Sequence, residues 1–303
     1  DKSSCVIHAS DVPMDSSTSF VLTANVKKID GTQLTSTTKT INVFAEGIAI
    51  TKKTNPEVMA ICYEQGWAEH EDYMTKDEAA AVGSIGSAFS RTAIKTFNEF
   101  EHFTSVTEVP DSAFQYCNYL TSIKLPNSIT IIGGYAFNSN TQLSEVTLPM
   151  SLVNIGTYAF KSNSRLISIV LPEGLTTLGY GAFSGCQLLK SINFPNSIKE
   201  LPGSLFYACG FETLVIPDTI TKIGDYCFDK CWYLQSLTLP DNLATINTGI
   251  IRNCIELTEI TIPKGTTNIS YSFCETCFVL ENIYVDEENA SFKSIDGVVM
   301  NKA

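Results

Sequence analysis

The 303-residue sequence has few of the residues and motifs on which catalysis usually depends. It contains only three histidines, His8, His70 and His102, and they are too scattered to form an evident Cys–His or Ser–His pair. No G-x-S-x-G, P-loop, H-E-x-x-H or dinucleotide-binding motif occurs. These absences favour a protein that is not an enzyme and that needs no cofactor.

Positive charge and long apolar runs are also scarce. Lysine and arginine number 20 against 32 acidic residues, and the net charge of −12 argues against binding to nucleic acid or to anionic membranes. No apolar run approaches the about 20 residues that a membrane-spanning helix needs. The chain begins with Asp1 and shows no signal peptide, so we expect a mature form whose targeting segment has been removed.

Proline, in contrast, recurs at an almost fixed interval. The spacings between successive prolines are 23, 23, 23, 22, 23 and 23 residues, at Pro126, Pro149, Pro172, Pro195, Pro217, Pro240 and Pro263. A phenylalanine recurs in step, at Phe114, Phe137, Phe160, Phe183, Phe206 and Phe228. A period of this length is typical of a leucine-rich repeat solenoid, in which each coil contacts only its neighbours.

One repeat unit predicts the structure of a coil. In the unit Pro149–Pro172, Ile169 and Leu171 are two residues apart and should face the same side of a short strand that ends at proline. Leu152, Ile155 and Ala159 are three to four apart, which indicates a helical or 3-10 turn on the convex side. A glycine after the second apolar position, such as Gly156, is expected to permit a backbone turn.

The repeats extend over most of the chain. Weaker copies upstream and displaced ones downstream give about eight units, and the solenoid is predicted to cover residues 83–303. The unit around Cys209, Gly210 and Phe211 is one residue short, and we expect a slightly tightened loop there.

The unit L-x-x-I-x-L-P-x-x-L-x-x-I-G-x-x-A-F-x-x-C resembles the BspA-like (Treponema-type) leucine-rich repeats of bacterial cell-surface proteins. Leu120–Phe137, LTSIKLPNSITIIGGYAF, is similar to that consensus, and the resemblance covers about two-thirds of the chain. The resemblance implies an exported protein, a surface lipoprotein of the Bacteroides type anchored in the outer membrane by a lipid upstream of this sequence. It further implies adhesion to host matrix proteins or microbial surfaces.

Most of the ten cysteines follow the repeat. Six lie three residues after the phenylalanine position, at Cys117, Cys186, Cys209, Cys231, Cys254 and Cys277, and Asn140 and Asn163 take that position elsewhere. We expect buried thiols whose side chains bond to the backbone of the adjacent loop. Disulfides, or metal binding at Cys227/Cys231 and Cys274/Cys277, are alternatives, and Cys5 could pair with Cys62.

The first 82 residues have a different pattern. Alternating apolar residues in two runs, around Phe20–Val26 and Ile41–Ala45, predict a hairpin within a small β-domain over residues 1–50, immunoglobulin-like or incomplete. Residues 51–82 should form a helical cap and linker. One helix is predicted over Asn55–Gly66, and Thr75 and Glu78 form a capping box that opens a second.

The exposed side of the predicted strands is the candidate ligand face. Its residues are small, hydroxylated or weakly apolar, and the candidates are Ile167, Ser168, Val170, Ser191, Asn193, Thr213, Val215 and Thr238. Such a surface suits a protein or peptide partner. Each residue taken singly is also explained as a good strand former.

A row of aromatic residues is a second candidate surface. Tyr135, Tyr158 and Tyr226 share one position on the convex side, and Trp232 and Tyr233 lie on a convex loop. These aromatics either stack sugars or merely shield the core. We therefore expect a non-catalytic adhesion protein, and the alternative is a carbohydrate-binding component of a surface glycan-uptake system.

Overall fold

A computed structural model describes residues 47–302 and, before them, the backbone of two strands, Phe20–Thr23 and Thr38–Ile41. These two strands pair antiparallel, Phe20 opposite Ile41, in agreement with the predicted hairpin. Of the rest of the expected β-domain, only residues 47–50 are described, and Cys5 with its pairing to Cys62 lies outside the described residues. The immunoglobulin-like assignment therefore stays a prediction.

Two helices precede the repeats, as the sequence predicts. The first is Pro56–Glu64, which begins after Asn55 with Pro56 in its first turn, and the second is Lys76–Ala81. The capping box is present, since Thr75 Oγ1 accepts from the Glu78 amide and the Glu78 carboxylate accepts from the Thr75 amide. The antiparallel strands Ile48–Thr51 and Tyr73–Thr75 pair beside them.

The buried faces of these segments continue the core of the repeats. Val58, Met59, Cys62 and Ala79 are fully buried and belong to the same apolar cluster as Phe89. Continuity of this kind is what a solenoid needs at its first coil, because an uncovered end would expose the apolar stack to water. Their interpretation as the N-terminal cap stays a prediction.

Each coil of the solenoid contains two short parallel strands, one on each side of the proline. We call those before the proline the front strands: Thr96–Phe97, Ser122–Lys124, Glu145–Thr147, Ser168–Ile169, Ser191–Ile192, Thr213–Val215, Ser236–Thr238, Glu259–Ile262 and Asn282–Val285. Those after it are the rear strands: Glu108–Val109, Ile131–Ile132, Asn154–Ile155, Thr177–Leu178, Glu200–Leu201, Lys222–Ile223, Thr245–Ile246 and Asn268–Ile269. An antiparallel hairpin, Phe292–Ile295 with Val298–Asn301, follows the last coil.

The rear strands correct the expectation of a helical or 3-10 convex segment in each unit. Leu152 and Ile155 are three residues apart because a turn, closed by the Leu152 amide on the Pro149 carbonyl, leads into the strand Asn154–Ile155. In the described residues, the one 3-10 helix is Asn98–His102, before the regular repeats. The chain is therefore a leucine-rich repeat β-solenoid of about eight turns with little helix.

The segment after each rear strand is a stack of turns. Its amides alternate between two kinds of partner: Tyr135 and Phe137 donate to Thr157 and Ala159 of the next coil, while Ala136 donates to a carbonyl three residues back. A helix would direct every amide along its own axis. The alternation is possible because two residues per turn, such as Tyr135 and Ser139, adopt a left-handed conformation with φ of 56° and 63°.

The repeated glycine has a different role from the one expected. Gly156 and Gly179 do not have a positive φ; instead, their coils approach closely. A Cβ on Gly179 would lie 2.3 Å from the Thr157 nitrogen and 2.4 Å from the Gly156 carbonyl carbon. Glycine is needed here because neighbouring backbones touch, and not because the turn is left-handed.

The core is a column of aromatic rings along the solenoid. The six phenylalanines at the repeat position stack with centroids 5.1–6.1 Å apart and planes within 14° of parallel. All six are fully buried: Phe114, Phe137, Phe160, Phe183, Phe206 and Phe228. Their spacing in the sequence equals the number of residues in one coil, so each ring packs on the equivalent ring of the next unit.

Candidate functional site

The front strands carry the candidate ligand face, and most of its predicted residues are exposed there. Val170, Val215 and Ile167 are 75%, 66% and 54% exposed, and the hydroxyl residues Ser168, Ser191, Thr213 and Thr238 are exposed as well. The strand register brings Ser168 beside Ser191, and Val215 beside Thr238. The residues at these strand positions share one surface, which we call the strand face, and Ile167, one residue before the strand Ser168–Ile169, lies at its edge beside Lys190.

Asn193 has a structural role within that surface. Its side-chain amide donates to the Leu171 carbonyl at 2.8 Å, and its side-chain oxygen accepts from the Leu171 amide at 2.7 Å. The side chain thus replaces a backbone pairing between two coils. Asn193 separates Val170 from Val215, and the pairing with Leu171 uses one of its two amide donors and one of its two oxygen lone pairs.

The centre of the strand face carries no charge. Across the four front strands from Ser168 to Thr238, every residue on the strand face is a serine, threonine, valine or asparagine. Charged residues flank this centre: Lys124 pairs with Glu101 near the first coils, and Lys190 pairs with Glu212 at 2.6 Å along the edge. A surface with an uncharged centre and a polar rim is the usual composition of a protein interface.

The tyrosines on the convex side pack against one another. Tyr135 and Tyr158 are 5.3 Å apart with planes 40° from parallel, and Tyr158 meets Tyr180 edge to face at 5.4 Å and 86°. The Lys161 ammonium lies 4.6 Å from the centre of the Tyr158 ring, and the Tyr180 hydroxyl bonds to Ser204. This row is not a flat platform, because no two neighbouring rings are coplanar.

The cysteines at the repeat position form a column of buried thiols. Each donates to a carbonyl of the preceding coil: the sulfurs of Cys186, Cys209 and Cys231 lie 3.2 Å from the carbonyl oxygens of residues 160, 183 and 206. Asn163 takes the same position and donates from its amide to the Phe137 carbonyl. The predicted bonding of this column to the backbone of the adjacent coil is confirmed.

Burial suppresses the chemistry of these thiols. Desolvation raises the pKa of Cys186 and of Cys231 to about 12, and the pKa of the partly buried Cys277 to about 11, so each stays protonated at neutral pH. In residues 47–302, no group of three or more metal-ligating side chains comes together, and all nine cysteines are free thiols. The column is a structural device that bonds one coil to the next.

A column of hydroxyl groups that bond neighbouring coils was not predicted from the sequence. Ser128, Ser151 and Ser197 each donate from the side-chain hydroxyl to a carbonyl 22 residues earlier. Their common position, two residues after the proline, was a detectable signal. These three serines bond neighbouring coils together, so their hydroxyl protons are not available to a ligand.

A cleft was not predicted, although two of its lining residues, Trp232 and Tyr233, belong to the predicted aromatic row. It lies at the shortened unit, where a tightened loop was expected, and has a volume of about 270 Å³. Leu188, Trp232 and Tyr233 line its sides, and Gln187, Lys190 and Glu212 supply polar groups. The feature of the sequence that could have indicated this cleft is the single 22-residue spacing, between Pro195 and Pro217.

A family model described as "BspA type Leucine rich repeat region" matches this chain in six copies, over residues 84–212 and 199–296. The match extends from the first repeats to the C-terminal hairpin, and so spans more than half of the chain. A search of curated proteins finds no match. No helix in the described part of the chain is both long and apolar enough to span a membrane.

Several solved structures are similar to parts of this chain. A leucine-rich cell surface protein of Faecalibacterium prausnitzii is 24% identical with a TM-score of 0.45, over 62% of this chain and 60% of that one. A leucine-rich repeat protein of T. pallidum is 32% identical with a TM-score of 0.47, over 50% of this chain and 72% of that one. One from Bacteroides ovatus is 29% identical with a TM-score of 0.44, over 61% of this chain and 44% of that one. The chain thus covers less than two thirds of the F. prausnitzii and B. ovatus proteins.

Proposed function

Because the chain belongs to the BspA type leucine-rich repeat family, we propose that it is a non-catalytic cell-surface protein that binds other proteins through its strand face. The partners are proteins of a host matrix or of another microbial surface. Binding needs no cofactor, since it would come from many small contacts over a rigid surface.

The observation that carries the proposal is the uncharged, exposed centre of the strand face. Val170 and Val215 present apolar side chains, and serine and threonine hydroxyls surround them with groups that both donate and accept hydrogen bonds. The coils below are held by stacked rings and inter-coil bonds, so the face is rigid before binding. A rigid face loses little conformational entropy when a partner docks.

The alternative, a carbohydrate-binding component of a glycan-uptake system, receives less support from the predicted aromatic row. A platform for stacking sugars should present exposed, coplanar rings, whereas Tyr158 meets Tyr180 at 86° and is covered by Lys161. The tyrosines shield the turns between coils. We therefore place the principal binding surface on the front strands.

The proposal includes a location at the bacterial cell surface. A lipid attached upstream of this sequence would hold the protein at the outer membrane, and a solenoid raised from that anchor would present its strand face to large partners. The net charge of −12 is compatible with such an exposed surface and keeps the protein from adhering to anionic membranes.

The experiment changes Val170 and Val215 to Glu and measures binding to immobilised fibronectin, laminin, collagen and fibrinogen, and to whole bacterial cells. Two buried carboxylates in the interface should lower the affinity for the bound partner at least tenfold, because each must be desolvated without a cation. Thermal unfolding should be unchanged, since both side chains point to solvent.

The matched control is Val153→Glu, a valine that is 43% exposed beside the rear strand Asn154–Ile155. It adds a carboxylate beside the sheet of rear strands, which is separate from the front strands, and should leave binding unchanged. The proposal is wrong if Val153→Glu abolishes binding while the Val170 and Val215 substitutions do not. It is equally wrong if no protein or cell in the panel binds.

A further inference from the structure

The shortened unit lacks one residue at a defined place in the coil. In the full-length units, two residues separate the column position from the next core leucine, as Trp232 and Tyr233 do between Cys231 and Leu234. In the short unit, Gly210 stands alone between Cys209 and Phe211. This coil therefore presents no side chain on the loop edge, where each of its neighbours presents two.

The missing residue draws the loop inward. The backbone of Gly210 lies so close to the preceding coil that a Cβ there would be 2.2 Å from the Gln187 carbonyl oxygen. Above it opens the cleft of about 270 Å³, which we call the notch. Ala208, Cys209 and Gly210 form its floor.

The two neighbouring loops form the walls of the notch. Leu188 stands on one side, and Trp232 and Tyr233 stand on the other, with exposed fractions of 46%, 38% and 56%. The flanking backbones are two coil spacings apart, about 10 Å. Carbon atoms in contact lie about 3.5–4.0 Å apart, so one flat or chair-shaped ring fits between the walls.

Polar groups surround the opening. Lys190 of the preceding coil and Glu212 of the short coil pair at 2.6 Å, both more than half exposed, and Gln187 adds an amide. Among the residues that the structure describes, none accepts a hydrogen bond from the Trp232 indole or from the Tyr233 hydroxyl. The notch therefore offers two unused donors, an amide, an ammonium and a carboxylate around an apolar slot.

We propose that the notch binds a single sugar ring of a glycan. A pyranose ring has an apolar face of C–H groups that would pack on the Trp232 ring, and a periphery of hydroxyls that would bond to Gln187, Lys190 and Glu212. An apolar amino-acid side chain would use the walls but would offer no acceptor to the Trp232 indole and the Tyr233 hydroxyl, the two donors without a partner in the described residues. A small slot lined by an aromatic ring and a few convergent polar groups is typical of a ligand site.

The site is independent of the proposed protein-binding surface. Lys190 and Glu212 immediately precede Ser191 and Thr213 in the chain, so the notch adjoins the strand face and does not overlap it. Adhesion through Val170 and Val215 could fail while the notch still binds sugar. Sugar binding at the notch could equally fail while adhesion through the strand face persists.

Fluorescence gives a direct readout, because the sequence has two tryptophans. Trp67 packs against Phe89 and Phe103 at the start of the solenoid, with ring centroids 6.0 Å and 6.4 Å away, so an emission change on sugar binding reports Trp232. The probes are the methyl pyranosides of glucose, galactose, mannose, fucose and N-acetylglucosamine. At least one should shift the emission saturably, with a dissociation constant on the order of 1 mM.

The variants test the walls of the notch. Trp232→Ala and Tyr233→Ala should each lower the affinity at least fivefold, measured by saturation-transfer NMR on the bound pyranoside. The matched control is Tyr119→Ala: Tyr119 occupies the unit position of Tyr233, is 62% exposed, and borders a full-length coil. That variant, and the Val170→Glu, Val215→Glu double variant, should bind sugar as the original chain does.

Three results would overturn the proposal. The first is that no pyranoside binds with saturation. The second is that sugar binding survives Trp232→Ala, which would place the sugar elsewhere. The third is that N-acetyl-leucine amide or N-acetyl-tryptophan amide displaces the sugar or binds more tightly, which would make the notch an anchor site for a peptide side chain.

Discussion

Replacing Cys186 by Asn should make the fold less sensitive to alkaline pH. The buried thiol donates to the Phe160 carbonyl at 3.2 Å, and burial raises its pKa from 9.0 to about 12. In the unfolded chain the thiol titrates near its ordinary value, so between pH 9 and pH 12 the folded state holds a proton that the unfolded state has lost. The contribution of this thiol to stability is therefore fully present below pH 9 and is lost as the pH rises toward 12.

The size of the effect follows from the pKa difference. Each pH unit within that window lowers the free energy of unfolding by about 1.4 kcal/mol per thiol. At pH 10 the loss from Cys186 alone should be about 1.4 kcal/mol relative to neutral pH. Asn163 shows that an amide fits this position, since it donates to the Phe137 and Phe160 carbonyls at 3.0 Å and 2.6 Å. An asparagine at 186 would keep the inter-coil bond and could not ionise.

The assay is urea unfolding followed by circular dichroism, at pH 7.5 and at pH 10, with a reductant present. Cys186→Asn should be less stable at neutral pH by about 1–3 kcal/mol, because the side-chain oxygen of Asn163 has no partner and the new oxygen would repeat that situation. Its further loss at pH 10 should be smaller than that of the original chain by about 1.4 kcal/mol. Equal losses in both proteins, with equal urea dependence, would refute the assignment of alkaline sensitivity to the thiol column.

Three further substitutions, two of them with a control substitution, test the inter-coil contacts. Asn163→Cys should raise the free energy of unfolding by about 1 kcal/mol in urea titrations, because it removes an unpaired buried oxygen and keeps the bond to the preceding coil. Asp229→Ala should lower the free energy of unfolding by about 3 kcal/mol, because this fully buried carboxylate accepts hydrogen bonds from an arginine and an asparagine of the next coil. The control, Glu200→Gln in an exposed ion pair, should lower it by less than about 1 kcal/mol. Gly179→Ala should lower the melting temperature by several degrees, because its Cβ would meet backbone at 2.3 Å, while Gly174→Ala, whose Cβ meets nothing within 3.4 Å, should leave it unchanged.

The sequence determines the repeat and its core because both depend on spacing. Phe137 and Phe160 are 23 residues apart, and in the structure their rings stack at 5.1 Å, which a period alone predicts once coils are stacked in register. The bond from Cys186 to the preceding coil follows from the same argument, since Asn163 and cysteine share little beyond small size and a hydrogen-bond donor. The exposure of Val170 and Val215 follows from strand alternation.

The conformation after the proline could not be predicted in the same way. Leu152 and Ile155 have a spacing that suits a helix, and the sequence contains no local signal for the pairing of Asn154 with Thr177. That pairing is made between coils, and it outcompetes the local bonds that a helix would require. Asn193 was placed on the ligand face for a related reason: its exposure could be predicted, but its bonds to Leu171 depend on the neighbouring coil.

The same dependence on neighbours explains why the shortened unit matters most at the loop edge. In a solenoid each coil contacts only the coils before and after it, so the loss of one residue is absorbed within about three units. The phenylalanine column continues through the defect, with Phe206 still 6.1 Å from Phe183 and 5.9 Å from Phe228. The geometry of the core is thus unchanged. At the loop edge, two side chains are missing beside Gly210, and this exposes the side chains of the neighbouring loops that form the walls of the notch. A change in a repeat that lies outside the core can create a binding site without disturbing the packing of the core, and the notch is such a site.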